Sequence, residues 1–327
     1  MTLFRMILTL ALVGTFGAMA CSDDDDSRGL PPGDNNNSVN NDNNSANNNN
    51  TPGNNNFNDG NNTNNNVDNN ANNNTDIIPS CQNSLKVVFR DFTSSHPDFE
   101  RADLGWGPAK GMIQPTLNAD RKPVFAALQG THKIEDSQCS DTCPNGGLVS
   151  RSQLIETGPD WGSIPMWEGA STFPQWYTDV EGVNMRVEDT LILQKEGDSY
   201  VYDNPFFFPL DGKGFGAEPG QLDDNGVNRN FLFTTEIHFE FEYTGNQVFT
   251  FRGDDDLWIF VNDKLALDLG GLHWPFEDTI NFDAIASEFG LEVGGTYKMD
   301  IFHAERHTKA SNFRIQTNIA CFIPTID

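Results

Sequence analysis

The stretch from Phe251 to His273, FRGDDDLWIFVNDKLALDLGGLH, sets three consecutive aspartates, Asp254, Asp255 and Asp256, between two strongly hydrophobic runs. Apolar runs of this length read as buried strands, and the acidic triplet as the turn that joins them. Adjacent carboxylates repel one another, and a folded chain tolerates them at low cost only where solvent or a cation screens them. A hard, oxygen-seeking ion such as Ca2+ is the natural guest. Gly253 permits the sharp backbone turn that would let such oxygens converge. The alternative is a solvated acidic turn whose side chains cap backbone amides.

Around this stretch the sequence is written in short strands. Ile237 to Tyr243 (IHFEFEY) alternates apolar and polar residues, which predicts one buried and one wet face. Thr244-Gly245-Asn246 is a turn, Val248 to Phe251 and Leu257 to Val261 are the next strands, and Asn262-Asp263 suits a tight hairpin. Leu265 to Leu269, Tyr297 to Ile301 and Phe313 to Ile319 complete the set in the C-terminal half, and Lys86 to Phe92 opens the domain. Only Asp283 to Phe289 (DAIASEF) reads as a helix there. Residues 93 to 176, rich in Gly, Pro, Trp and Ser and without period, read as long loops and short helices packed over the sheet. The expectation is an all-β chain, an antiparallel sandwich or barrel over residues 79–324.

The ends carry a different message. Residues 1–20 place one Arg before an apolar run of about fifteen residues and end in small residues, the layout of a secretory signal peptide. That run is shorter than the roughly twenty residues a membrane span needs. Ala18-Met19-Ala20-Cys21 is similar to a bacterial lipoprotein processing box, which makes Cys21 the expected lipidated residue; simple cleavage and secretion is the alternative. Residues 21–78 are mostly Asn with scattered Asp, Gly, Pro, Ser and Thr, too polar to bury a core, and read as a disordered linker with a reach of about 40 Å. An anchor at the outer membrane or cell surface follows as the expected location.

The net charge of −27 argues against a nucleic-acid partner and against electrostatic docking on anionic lipid; the membrane is expected to be met through the lipid anchor only. Beyond Cys21 the four cysteines are expected to form Cys81–Cys321, joining the ends of the domain, and Cys139–Cys143, a local clip.

Three blocks carry a family resemblance: NPFFFPLDGKGFG from Asn204, the acidic stretch above, and Gly294 to Tyr297 with Asp300 to His307 (DIFHAERH) and Ser311-Asn312-Phe313. Together they resemble the fibro-slime domain of slime-mould surface proteins and bacterial exported proteins, a relative of the PA14 β-sandwich. The resemblance covers Asn204 to Ile319 well; Arg90 to Glu100 and Gln175-Trp176-Tyr177 fit a longer version of the domain. It implies a PA14-like antiparallel β-sandwich of jelly-roll character. In PA14-type lectins two adjacent aspartates joined by a cis peptide hold a Ca2+ that touches sugar hydroxyls, and those positions fall on Asp254 and Asp255.

The candidate metal ligands are therefore Asp254, Asp255, Asp256 and Asp268. Gly270 and Gly271 would admit a backbone carbonyl or a ligand at close range, His273 would orient a carboxylate or meet the guest, and Trp274 would stack on the apolar face of a sugar ring. Glu305 with Arg306 is expected as a buried pair that fixes the loop, and Asn312 as structural. HAERH is not the HExxH of a metalloprotease, and no nucleophile elbow or phosphate loop stands out. The expected function is non-catalytic, calcium-dependent recognition of an extracellular glycan; a structural matrix protein is the alternative, and a polysaccharide hydrolase the second alternative.

Overall fold

Alternation of side chains along extended backbone explains why this chain forms two cores on a single sheet. The computed structural model describes residues 81–325 except 102, 106, 130–131, 136–148, 151–154 and 157–164. The strands are β1 (Ser84–Asp91), β2 (Ala109–Lys110), β3 (His132–Glu135), β4 (Val149–Ser150), β5 (Ile155–Glu156), β6 (Met185–Ile192), β7 (Gln194–Glu196), β8 (Ser199–Asn204), β9 (Phe233–Glu242), β10 (Val248–Gly253), β11 (Asp256–Val261), β12 (Lys264–Leu269), β13 (Phe276–Asn281), β14 (Thr296–Glu305), β15 (Phe313–Thr317) and β16 (Ile323–Pro324). One sheet runs β12-β11-β14-β9-β1-β6, with β16 also on β9; a second runs β4-β13-β10-β15-β8-β7; β2-β3-β5 form a small third. Apart from β4 on β13, the pairings are antiparallel.

The two large sheets pack face to face. Phe89, Ile237, Phe239, Leu257, Ile259 and Ile301 from the first meet Phe249, Phe251, Ile280, Phe313 and Ile315 from the second in one continuous apolar cluster. The odd positions of β11 point into this core. Its even positions, Trp258 and Phe260, point the other way, with Phe302 and Ala304 of β14, into a second cluster built with Phe92, Phe99, Met112, Trp167, Trp176 and Tyr177. The described residues between β1 and β6 that join this cluster therefore lie over the outer face of the first sheet, and all of β11 is buried.

This overlay corrects one expectation. The polar face of IHFEFEY is wet only toward its end, where Glu240 is half-buried and Glu242 exposed; β9 is buried from Phe233 to Phe239 on both sides, because its polar side chains there carry ionic and hydrogen-bonded partners beneath the overlay. Glu236, for example, accepts from Arg90 Nη1 at 2.6 Å and from Lys122 Nζ. The alternating sequence reports the pleat, not the solvent. Strands β6 to β8 were not legible; β6 is a largely exposed edge whose MRVEDTLI pattern has no apolar face to announce it.

Other expectations hold. Asn262 and Asp263 both take left-handed φ values (50° and 64°), as the tight β11–β12 hairpin requires. The helix α1 runs Phe282–Phe289, capped by Asn281, which accepts from the Ala284 N–H at 3.2 Å, and stopped by Gly290 at φ 71°. Cys81 and Cys321 are disulfide-bonded across a sequence separation of 240 residues. Cys139, Cys143, Cys21 and the segment 1–78 lie outside the described residues.

Candidate functional site

Four connections cross from one large sheet to the other at the same end of the sandwich: β8–β9, β10–β11, β12–β13 and β14–β15. Register places their ends together, with Asp256 opposite Ala304, Leu257 opposite Leu269, Glu305 opposite Phe233 and Phe313 opposite Asn204. The acidic turn is the β10–β11 crossing. A pocket of about 220 Å3 opens between these loops, lined by Asp224, Asp254, Asp255, His273, Trp274, His307, Thr308, Lys309 and Ala310.

The three aspartates are buried and point in different directions. Asp254 accepts at Oδ1 from the backbone N–H of Asn312 and at Oδ2 from Asn312 Nδ2 at 2.9 Å. Asp255, held at a left-handed φ of 52°, accepts from the His273 N–H at 3.2 Å and the Arg306 N–H at 2.9 Å. Asp256 accepts from the Gly271 N–H at 2.6 Å and from Arg306 Nε at 2.6 Å. Asn312 thus clamps one wall carboxylate with both its backbone and its side-chain N–H groups.

Arg306 ties this turn to the overlay. Its Nη1 donates to the carbonyls of Asp98 and Met166, both at 3.1 Å, and its guanidinium lies 5.0 Å from the Trp176 ring centre. The expected pairing of Arg306 with Glu305 is not formed. Neighbours at the end of a strand face opposite sides, so Arg306 turns toward Asp256 and the overlay while Glu305 turns toward Asp255. Glu305 Oε2 is buried without a hydrogen-bond partner.

Burial dominates the electrostatics. Desolvation lifts the Asp254 carboxyl to about 7. Asp255 is raised by the same cause, against the pull of the Arg306 guanidinium. Glu305 is pushed well above the ordinary range by burial and then by the charges of Asp255 and Asp254. The Arg306 guanidinium pairs with Asp256 and draws on the charge of Asp255, while burial favours the neutral forms of Asp254 and Glu305.

The carboxylates expected as metal ligands divide into two groups. Asp254 and Asp255 line the pocket; Asp256 and Asp268 do not. Asp268 accepts from Trp258 Nε1 at 3.1 Å and from the Gly111 and Gly270 N–H groups at 2.9 and 3.3 Å, which fastens the overlay to β12. Among the described residues, no group of three or more carboxylate, imidazole or thiol side chains is placed to hold a metal ion. The carboxylates on the pocket wall are Asp224, Asp254 and Asp255. The Asp254–Asp255 peptide, expected as cis from the lectin resemblance, is trans; the cis bond among the described residues joins Thr308 and Lys309 on the same pocket.

Gly270 and Gly271 admit backbone. Ala109 donates to the Gly270 carbonyl at 2.6 Å, and a Cβ on Gly271, whose φ is 100°, would stand 2.3 Å from the Gly107 carbonyl oxygen. His273 and Trp274 do line the pocket, and Trp274 is 52% exposed. The sequence reading missed Asp224, Thr308, Lys309 and Ala310. Asp224 had a signal, a DDNG turn inside the resembling region; the other three lie in a loop with no pattern.

Fold and pocket together define an antiparallel sandwich whose inter-sheet loops build an acidic recess at one end. Residues 221–321 match the PA14 domain model. Among curated proteins it is similar to psiD of Dictyostelium discoideum, 36% identical over 239 residues (72% of this chain, 41% of that protein), and to psiE of the same organism, 38% identical over 247 residues (73% and 44%). The chain spans about two fifths of the length of these relatives. Among solved structures, the epithelial adhesin 6 A domain of Candida glabrata, in complex with Galb1-3GlcNAc, aligns over 76% of this chain and 91% of that domain at 12% identity and a TM-score of 0.27, a likeness too low to bear on this site.

Proposed function

We propose that this chain is an exported surface module that binds a sugar unit of an extracellular glycan in the pocket between the four inter-sheet loops. The observation that carries the reading is the joint placement, on one recess of about 220 Å3, of two buried carboxylates, Asp254 and Asp255, and a half-exposed indole, Trp274. A sugar ring has an apolar C–H face that packs on an aromatic surface and hydroxyls that need strong, fixed acceptors. Here the acceptors are pre-oriented by backbone N–H groups and by Asn312, so little order has to be created on binding. The PA14 match over residues 221–321 and the fibro-slime resemblance support the same reading.

In this proposal Ca2+ takes protein ligands from Asp254 and Asp255 and supplies positive charge that polarises and fixes the guest's hydroxyls. The lipidated Cys21 and the Asn-rich linker 21–78 would hold the module away from the cell surface. The test is a glycan array probed with the mature chain, with and without chelator, beside Asp255→Asn. Binding that is lost with chelator and in the variant supports the reading; binding that survives both, or no binding to any glycan, overturns it.

A further inference from the structure

We propose that Thr235 and His303, both outside the pocket, act as a positioning pair that holds the Asp254 carbonyl, and through it the acidic turn, from inside the sandwich core. The inference deepens the reading of the pocket as a ligand site and rests on it for its functional consequence. His303 has no exposed surface and sits among the rings of Phe207, Phe233, Phe251 and Phe313, with ring centres 5.3 to 6.4 Å away. A polar ring in such a cage needs a partner on each nitrogen. Nε2 meets the Asp254 carbonyl oxygen at 3.0 Å, and Nδ1 meets Thr235 Oγ1 at 3.2 Å.

The chemistry of the two partners fixes the direction of both bonds. A carbonyl oxygen only accepts, so Nε2 carries the hydrogen. In the neutral ring Nδ1 is then the acceptor, and the Thr235 hydroxyl donates to it. Thr235 and His303 are direct cross-strand partners on β9 and β14, two inner strands of the first sheet. The pair thus reaches from these strands to the one peptide that precedes Asp255, whose left-handed backbone must be held in place. Removing the Thr235 hydroxyl leaves Nδ1 a buried acceptor without a partner and frees the ring to turn out of line with the Asp254 carbonyl.

The test uses the mature chain and the isosteric Thr235→Val, with His303→Gln, which retains an N–H donor at the Nε2 position, and His303→Leu, which does not. Nitrogen NMR shifts of His303 should show the Nε2–H tautomer in the native chain. In Thr235→Val and His303→Leu, amide exchange at Asp255, Asp256 and Asn312 should accelerate about tenfold, the size expected for one buried hydrogen bond, while β10 and β15 amides stay protected. Glycan affinity should fall by a similar factor and be retained in His303→Gln. An Nδ1–H tautomer in the native chain, or a Thr235→Val variant with unchanged exchange at the turn, overturns the positioning role. Should the native chain bind no glycan, the pocket reading fails, while tautomer and exchange still decide whether the pair holds the turn.

Discussion

Arg306 and Asp256 form an ion pair, Nε to Oδ2 at 2.6 Å, in which neither side chain retains any exposed surface. Its partners come from three places: the acidic turn, the end of β14 and the overlay that supplies the Asp98 and Met166 carbonyls. A pair this deep is costly to desolvate and more costly to break. Arg306→Met should destabilise the domain by about 3–5 kcal/mol, because it leaves a buried carboxylate unpaired. Arg306→Lys should recover little, since a single ammonium cannot reach Asp256 and two carbonyls at once. Urea unfolding of both variants measures this, and full rescue by Lys would contradict the geometry.

Asp254 makes stability depend on pH in a defined direction. Its folded pKa of about 7 lies above the ordinary value near 4, so the folded chain binds a proton that the unfolded chain releases. The associated stability is fully present in acid, below the unfolded value, and is lost as pH rises through about 7. Asp254→Asn should flatten that slope, with a difference of order 2–4 kcal/mol between the two limits. In the proposed reading, millimolar calcium raises the melting temperature of the native chain more above pH 7 than in acid, and leaves the variant unmoved. Thermal melts across the range, with and without calcium, decide both points.

Gly271 has no room for a side chain. Its φ of 100° opposes Ala, and so does the Gly107 carbonyl oxygen, 2.3 Å from where the new methyl group would stand. Gly271→Ala should cost about 2 kcal/mol or more and should accelerate amide exchange at Gly107 and Ala109, which pair with Leu272 and Gly270. A neutral substitution would show that the overlay can shift away from β12 freely.

Trp274 separates binding from folding. More than half of its surface is exposed, so Trp274→Ala should change stability by no more than about 0.5 kcal/mol. If the indole is the stacking face for the guest, glycan affinity should fall roughly three- to tenfold. Equal affinity in the variant would remove the indole from the site.

Much of the architecture was legible because strands announce themselves locally. The hairpin at Asn262-Asp263, the helix between Asn281 and Gly290 and the strands that flank the acidic turn each follow from residues close in sequence. What misled was the second core. The charges of Glu236 and His238 write a solvent-facing pattern on β9, yet both are buried, His238 between Asp300 Oδ1 at 2.5 Å and Glu236 Oε1 at 2.6 Å. Periodicity records which residues share a face. It does not record that Arg90, Arg121 and Lys122 arrive from elsewhere to neutralise that face.

The chain's own order of residues determined that it is all-β, where its acidic turn falls and that Cys81 can meet Cys321 at the domain's ends. Only the tertiary structure decided that Asp254 and Asp255 share the pocket with Asp224 and Trp274, while Asp256 and Asp268 are drawn away to Arg306, Gly111 and Trp258. The physical reason is that a carboxylate's role is set by the donors that reach it. These donors sit on crossings between two sheets, brought together by register over separations that no local pattern spans.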